Sequence, residues 1–386
     1  MFKLLFALAG LLPIALASAH ALAGEAKPEP NWSKGPPSDP GFFPLAVWLQ
    51  APANAPRYKA AGINTYIGLW QGPTEEQLAE LKKHGMKVIC AQNEVGLKHK
   101  DDETIVAWMH GDEPDNAQPK QGGGYGPPVP PETIIEDYKK LKANDPDRPV
   151  ILNLGQGVAW DGWHGRGVRT NHPEDYAEYI KGCDLVSFDI YPACHDKPDV
   201  AGKLWLVPFG VQRLREWSKD EKAVWNCIEC TRIGNTEKIV TPQEMKCEVW
   251  MSLIYGSKGI IYFCHQFKPK FIEAGLLAEP ELLAMATKVN RQILELAPVL
   301  NGPSVAEGAK VETDGPAVAV MTKRHEGATY VFAVVMRGAE AQATFTVPGV
   351  QDGSATVLGE DRKVPVAGGT FKDRFQPWDV HLYKIE

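Results

Sequence analysis

The chain has 386 residues, enough for one large domain with a smaller one beside it. An apolar fraction of 44% and 11 Trp allow a substantial core. The net charge of −7, with no basic block, argues against nucleic acid as a partner.

The N-terminus reads as an export signal. Lys3 supplies positive charge, residues 4–16 form a short apolar run, and the small residues Ala17-Ser18-Ala19 and Ala21-Leu22-Ala23 offer cleavage sites. A membrane span needs about 20 apolar residues, more than this run has. Residues 1–23 are therefore expected to be removed, leaving an exported protein, periplasmic or extracellular, with no membrane insertion. No Cys lies near the cleavage sites, so no lipid anchor is expected. Residues 24–40, rich in Pro, Gly, Lys and Ser, read as a flexible lead-in.

From residue 41 strand-like and helical runs alternate. The strand candidates are Phe43–Gln50, Asn64–Trp70, Lys87–Asn93, Ile105–Glu113, Val150–Gly155, Leu185–Tyr191, Ala223–Glu229 and Gly259–Gln266. Each is short, apolar and largely β-branched or aromatic, as strands covered on both faces should be. Thr74-Glu75-Glu76-Gln77 opens a helix with a capping box, and Gly85 stops it. Further helices are predicted over Pro131–Ala143, Val207–Trp217, Pro242–Tyr255 and Pro280–Leu296. The link after the third strand is poorly helical, and Gly155–Thr170 is loop-like. Such alternation predicts an α/β fold, a (β/α)8 TIM barrel over residues 41–298. The competing doubly wound sheet has no Gly-rich phosphate loop to support it.

After Pro298 short alternating runs take over, at Ala317–Thr322, Thr329–Met336, Ala341–Val347, Ser354–Leu358 and Val380–Ile385, with Gly and Pro turns between them. Residues 299–386 are expected to form a small all-β sandwich that buttresses the barrel.

Seven Cys leave at least one thiol free in an oxidising compartment. Cys227 and Cys230 form a C-x-x-C with no partner pair, a weak metal or redox signal. Cys194 and Cys230 should end neighbouring strands, where a disulfide could form; the connectivity stays open.

Barrel enzymes act at the C-terminal ends of their strands. Two carboxylates stand at such ends: Glu113, in Met109-His110-Gly111-Asp112-Glu113-Pro114, and Glu229, in Asn226-Cys227-Ile228-Glu229. These close the fourth and seventh runs, which lie opposite each other in an eight-stranded barrel. Cleaving a glycosidic bond needs a proton delivered to a poor leaving oxygen and an anion near the developing oxocarbenium ion, so facing carboxyl groups suit it.

The arrangement resembles the clan of retaining glycoside hydrolases built on (β/α)8 barrels, many of which carry a C-terminal β-sandwich. The resemblance spans residues 43–386 as an architecture. It implies Glu113 as acid/base and Glu229 as nucleophile, acting on a β-linked oligo- or polysaccharide without a cofactor. Clan members usually place Asn before the acid/base Glu, to contact the sugar 2-hydroxyl. Here that position is Asp112, which can accept but not donate when ionised, and which should raise the pKa of Glu113.

Other strand-end residues are candidates for the pocket. Tyr191 and, less directly, Asp189 end the sixth run. Asn93 ends the third, Asn153 lies in the fifth, Trp48 and Trp70 are at or near the ends of the first and second, and His265 ends the eighth. Trp160 and Trp163, after the fifth, form either a sugar platform or a plug that holds their loop down. His110, His164 and His195 lie near other strand ends, yet neither His-x-His nor His-Glu-x-x-His occurs, so no metal is expected. Gly122-Gly123-Gly124 lies in the loop after Glu113, as a lid or as a solvated insertion. Two rival functions remain: a carbohydrate-binding barrel without catalysis, and a metal-assisted hydrolase.

Overall fold

A computed structural model describes residues 32–386. The expected export signal lies outside the described residues. Residues 32–40, expected to belong to a flexible lead-in, are tied to the barrel floor. Ser33 bonds Asp147, Lys34 bonds Asp101, and Trp32 packs against the barrel interior.

All eight predicted barrel strands form, shorter than predicted. They are β1 (Leu45–Trp48), β2 (Thr65–Ile67), β3 (Lys87–Cys90), β4 (Ile105–Met109), β5 (Val150–Leu154), β6 (Leu185–Phe188), β7 (Ala223–Val224), β8 (Asn226–Glu229) and β9 (Ile260–Phe263). The seventh run is split into β7 and β8 at Trp225, so its first half pairs with β6 and its second with β9. The remaining neighbours pair in parallel, and β9 returns to β1, which closes the barrel. Trp225 turns inward, and its ring fills the space that a Cβ on Gly259 would need, 2.4 Å away. Glycine is the residue that lets the eighth strand approach there.

The alternation of the strands sorts their side chains into two cores. Trp48, Ile67, Ile89, Ala107, Ile151, Leu185, Trp225, Cys227 and Ile261 fill the barrel. Val47, Tyr66, Val88, Leu152, Val186, Ile228 and Tyr262 face the helices. Burial on both faces is why these runs read as continuous apolar stretches.

The helices follow the predicted signals. Thr74 caps Glu75–Lys83 with the full box to Gln77, and Thr241 does the same for Pro242–Ile254 through Glu244. Pro131–Asn144, Leu206–Ser218 and Pro280–Glu295 complete the main set. After β3 a five-residue helix, Glu94–Lys98, forms where little helix was expected.

The C-terminal part has two antiparallel sheets. One holds β11 (Val318–His325), β12 (Ala328–Val335), β14 (Gly353–Val357), β15 (Arg362–Val366) and β17 (Val380–Ile385). The other holds β10 (Lys310–Asp314), β13 (Ala341–Thr346) and β16 (Thr370–Phe375). β10, β15 and β16 were not foreseen, because charged residues dominate them and Pro365 interrupts β15, a strand at a sheet edge, where proline is tolerated. β12 is buried on both faces. Val331, Ala333 and Val335 enter the sandwich core, while Phe332 and Val334 join the core shared with the helices, Phe332 stacking on Trp250 at 5.5 Å.

Candidate active site

The chain leaves β4 by an unusual turn. Glu113 has φ 43°, a left-handed conformation that costs a non-glycine residue energy and that clusters at functional sites. The turn is held from below. The Glu113 amide donates to the Asn153 carbonyl, and the Asn116 amide donates back to the Glu113 carbonyl. Asp115, fully buried, accepts from the Gly155 amide and the Tyr176 hydroxyl, while Arg166 donates to its carbonyl. The loop after β4 is thereby bolted to the loop after β5.

This turn and the end of β6 bring three carboxyl groups to one mouth. Asn116 donates to Glu113 Oε2 at 2.8 Å and accepts from the Trp163 indole at 2.8 Å, so the Trp pair reaches the acid through one amide. Asp112 Oδ1 accepts from Asn153 Nδ2 at 2.9 Å, and Asn153 Oδ1 accepts from Ser187 at 2.8 Å. Asp189 is the strongest charged neighbour of Glu113. Among the described residues no Lys or Arg stands within ion-pair distance of these three acids. Burial, then the Asp189 charge, holds the Glu113 pKa well above the ordinary Glu range. Burial also raises those of Asp112 and Asp189. Asp112 nonetheless keeps surface open to solvent.

Two polar groups here are left without partners. The Tyr191 hydroxyl, on a side chain only 7% exposed, lies beside the Asp189 carboxylate with no hydrogen bond, and Asp189 Oδ1 is likewise buried and unbonded. Buried polar atoms are almost always paired, but the same unpaired state recurs at both oxygens of Glu248, so it does not by itself mark a ligand site. Met109, Cys227 and Phe263 form the apolar floor, with Phe263 5.0 Å from the Tyr191 ring.

Glu229 is not part of this cluster, contrary to expectation. It is fully buried, and its oxygens accept from the Ala193 and Cys194 amides at 2.5 and 2.8 Å. Its remaining neighbour is Glu248 of helix Pro242–Ile254, also fully buried. Burial, then the Glu229 charge, pushes the Glu248 pKa up, and both Glu248 oxygens are buried without a hydrogen-bond partner. The loop after β6 folds over the end of β8 and seals it; no surface of Glu229 opens into the mouth.

The other expected residues divide similarly. Tyr191, Asn153, Asp112, Asp189 and Trp163 belong to the site. Trp160 packs on Trp163 at 5.8 Å and joins the barrel–helix core, so the pair is partly plug and partly wall. Trp48 is not a pocket residue: it is 3% exposed inside the barrel. Asn93 is not one either, since it caps helix Glu94–Lys98 and bonds the Pro73 carbonyl. Trp70 stands on the rim, 73% exposed. His265 approaches the Leu49 carbonyl and packs against Phe263, Phe267 and Phe271. Phe267 and Phe271 are exposed rim aromatics that the sequence reading missed, as it missed Asp115 and Asn116.

The histidines scatter. His110 bonds the Gly182 carbonyl, His195 bonds Gln156, and His164 packs on Trp163. Cys194 and Cys230 form no disulfide; Cys230 lies 4.0 Å from Cys264 instead, and all seven thiols are free and buried. The Gly122–Gly124 segment is the tip of a small hairpin, with a bridge between Pro119 and Tyr125, and all three glycines take positive φ.

No family model and no curated protein matches the sequence. Solved structures do match the fold. A GH42 β-galactosidase aligns with a TM-score of 0.62 at 8% identity, over 90% of this chain and 98% of that one. An Anoxybacillus α-amylase aligns at 0.53 and 11% identity, with the same two coverages. A Geobacillus thermoleovorans α-amylase, solved with acarbose, aligns at 0.52 and 12% identity, again over 90% and 98%. At these identities the likeness is one of architecture: a (β/α)8 barrel followed by an all-β domain.

Proposed function

We propose that this protein is a glycoside hydrolase acting on an oligo- or polysaccharide at the mouth formed by the ends of β4, β5 and β6, with Glu113 as proton donor. The observation that carries this reading is the state of Glu113. It is a carboxyl group just past a strand end of the barrel, its pKa raised by burial and by the neighbouring Asp189, and it borders unpaired polar groups. A glycosidic oxygen departs only as it gains a proton, and a raised-pKa carboxyl is the group that supplies one near neutral pH. Asp112 and Asp189, with no cation beside them, favour the positive charge that develops at the anomeric carbon. They disfavour uronic or sulfated sugars by the same charge. The exposed Trp70, Phe267 and Phe271 give the rim flat apolar faces for pyranose rings. The leader-like residues 1–23 favour action outside the cytoplasm.

The test is turnover of a panel of polysaccharides and aryl glycosides by the purified protein and by Glu113→Gln. Cleavage that falls on this substitution supports the assignment. Sugar affinity by calorimetry with no cleavage in either protein would make the barrel a binding module instead.

A further inference from the structure

A carboxylic acid can hand over a proton from either of two oxygens, and the turn after β4 decides between them at Glu113. Asn116 Nδ2 donates to Glu113 Oε2 at 2.8 Å, and the Trp163 indole N–H donates to Asn116 Oδ1 at 2.8 Å. An indole nitrogen can only donate, so the Asn116 oxygen must face Trp163 and its nitrogen must face Glu113. A donor cannot bond a second donor. A proton on Oε2 would therefore break the bond to Asn116, whereas a proton on Oε1 keeps it. The backbone around Asn116 is fixed as well. Its amide donates to the Glu113 carbonyl at 3.1 Å, and the Gln118 side chain donates to the carbonyls of Asn116 at 2.8 Å and Glu113 at 3.3 Å.

Gly155, just past the end of β5, bears independently on the same pair. Its backbone, at φ −83° and ψ −172°, is extended and open to any residue. A Cβ there would stand 2.9 Å from Asn116 Nδ2, 3.0 Å from Asn116 Oδ1 and 3.0 Å from Glu113 Oε1. Space for the Glu113–Asn116 pair, not backbone conformation, is what calls for glycine. We propose that Asn116 is a positioning residue for Glu113: locked by Trp163, it occupies Oε2 and leaves Oε1 as the oxygen that protonates the leaving group. This rests on the glycosidase reading above and names how its acid is aimed.

As the bond from the anomeric carbon breaks, the glycosidic oxygen keeps its electron pair and takes the proton from Oε1. Glu113 is left ionised, with Asn116 still donating to Oε2. The charged neighbours of Glu113 are Asp189, past the end of β6, and Asp112 and Asp115 of its own turn, all acids that favour the neutral carboxyl. Asn116 opposes them, because a donor steadies the ionised form. One amide thus aims the acid and eases the departure of its proton.

The test uses the full chain and matched phenyl and 2,4-dinitrophenyl glycosides of glucose, galactose, mannose, xylose and N-acetylglucosamine, in both anomers. A phenolate needs the proton to depart, whereas a dinitrophenolate leaves without it. Asn116→Leu should lower kcat/KM on the phenyl glycoside by about 10²-fold, and at least tenfold less on its dinitrophenyl counterpart. Gly155→Ala should show the same contrast. Trp163→Phe keeps the ring but frees the amide to turn over, so it should show a smaller loss of the same kind; the double variant should lose no more than Asn116→Leu alone. In Asn116→Leu the alkaline limb of kcat/KM should move up by about one unit, and the Glu113 carboxyl, followed by carbon-13 NMR, should titrate higher to match. Equal losses on both leaving groups, or an unmoved carboxyl titration in folded Asn116→Leu, would overturn the inference. The glycosidase reading would still stand if Glu113→Gln loses the phenyl glycoside. A parent that cleaves no glycoside or polysaccharide would end both.

Discussion

Two acidic pairs stand at this barrel, one beside the ends of β4 and β6 and one between the end of β8 and helix Pro242–Ile254, and the protein treats them in opposite ways. At β4, Glu113 and Asp189 border a mouth and keep part of their surface exposed. At β8, Glu229 and Glu248 are sealed, and Glu229 is met by two backbone amides. Both pairs have raised pKa values, and burial is the first cause in each. A raised pKa therefore does not by itself mark a catalytic acid. What separates the pairs is whether anything besides protein can reach them.

The comparison breaks most visibly at Glu113. Glu113→Gln should cost about 10²- to 10⁴-fold in kcat/KM, the usual worth of a general acid, with the melting temperature unchanged. An unaffected rate on a substrate with a poor leaving group would return Glu113 to a structural role. Glu229→Gln should do the reverse. Glutamine offers one acceptor oxygen and turns its N–H₂ toward a second amide donor, which should cost about 1–3 kcal/mol of stability. Denaturant unfolding should show this, while kcat/KM of the folded fraction stays within about threefold of the parent, a gap of well under 1.4 kcal/mol. A larger loss of rate would restore the strand-seven carboxylate to the reaction.

Asp189→Asn sharpens the mouth. The Asp189 charge helps to hold the Glu113 pKa up, so its removal should let Glu113 ionise at lower pH. The alkaline limb of the kcat/KM profile should then move down by about one unit. An unmoved limb would uncouple the two carboxyls. The smallest effect is expected at Glu248. Its folded pKa is raised, so its contribution to stability is fully present below the ordinary Glu pKa and is lost as pH rises through the folded value. Glu248→Gln cannot titrate and keeps a donor toward Glu229. Relative to the parent, its melting temperature should rise from pH 5 to pH 8; a parallel pH dependence in both proteins would refute the raised Glu248 pKa.

The barrel was legible in the sequence because parallel strands covered on both faces leave unbroken apolar runs, and because Thr74 and Thr241 announce their helices. Directions beyond the last paired residue were not. By alternation Glu229 should look into the barrel like Cys227, but the amides of Ala193 and Cys194, 35 residues or more away in sequence, claim its carboxylate. Asn116 became a site residue only through the left-handed turn at Glu113, which no periodicity encodes. Asn93 carried a readable signal that was passed over: an Asn followed at once by Glu is a helix N-cap pattern. Trp48 needed only parity, since an inward residue on a short first strand belongs to the core.

β12 has a consequence for the molecule as a whole. Because its two faces serve different cores, the terminal β unit is not a detachable accessory that could be shuffled onto another enzyme. Cutting the chain near residue 301 would strip Phe332 from Trp250 and leave each fragment with a raw apolar wound. Calorimetry should accordingly record one melting event for the intact chain, and genetic fusion of the β unit alone should yield aggregates rather than a portable tag.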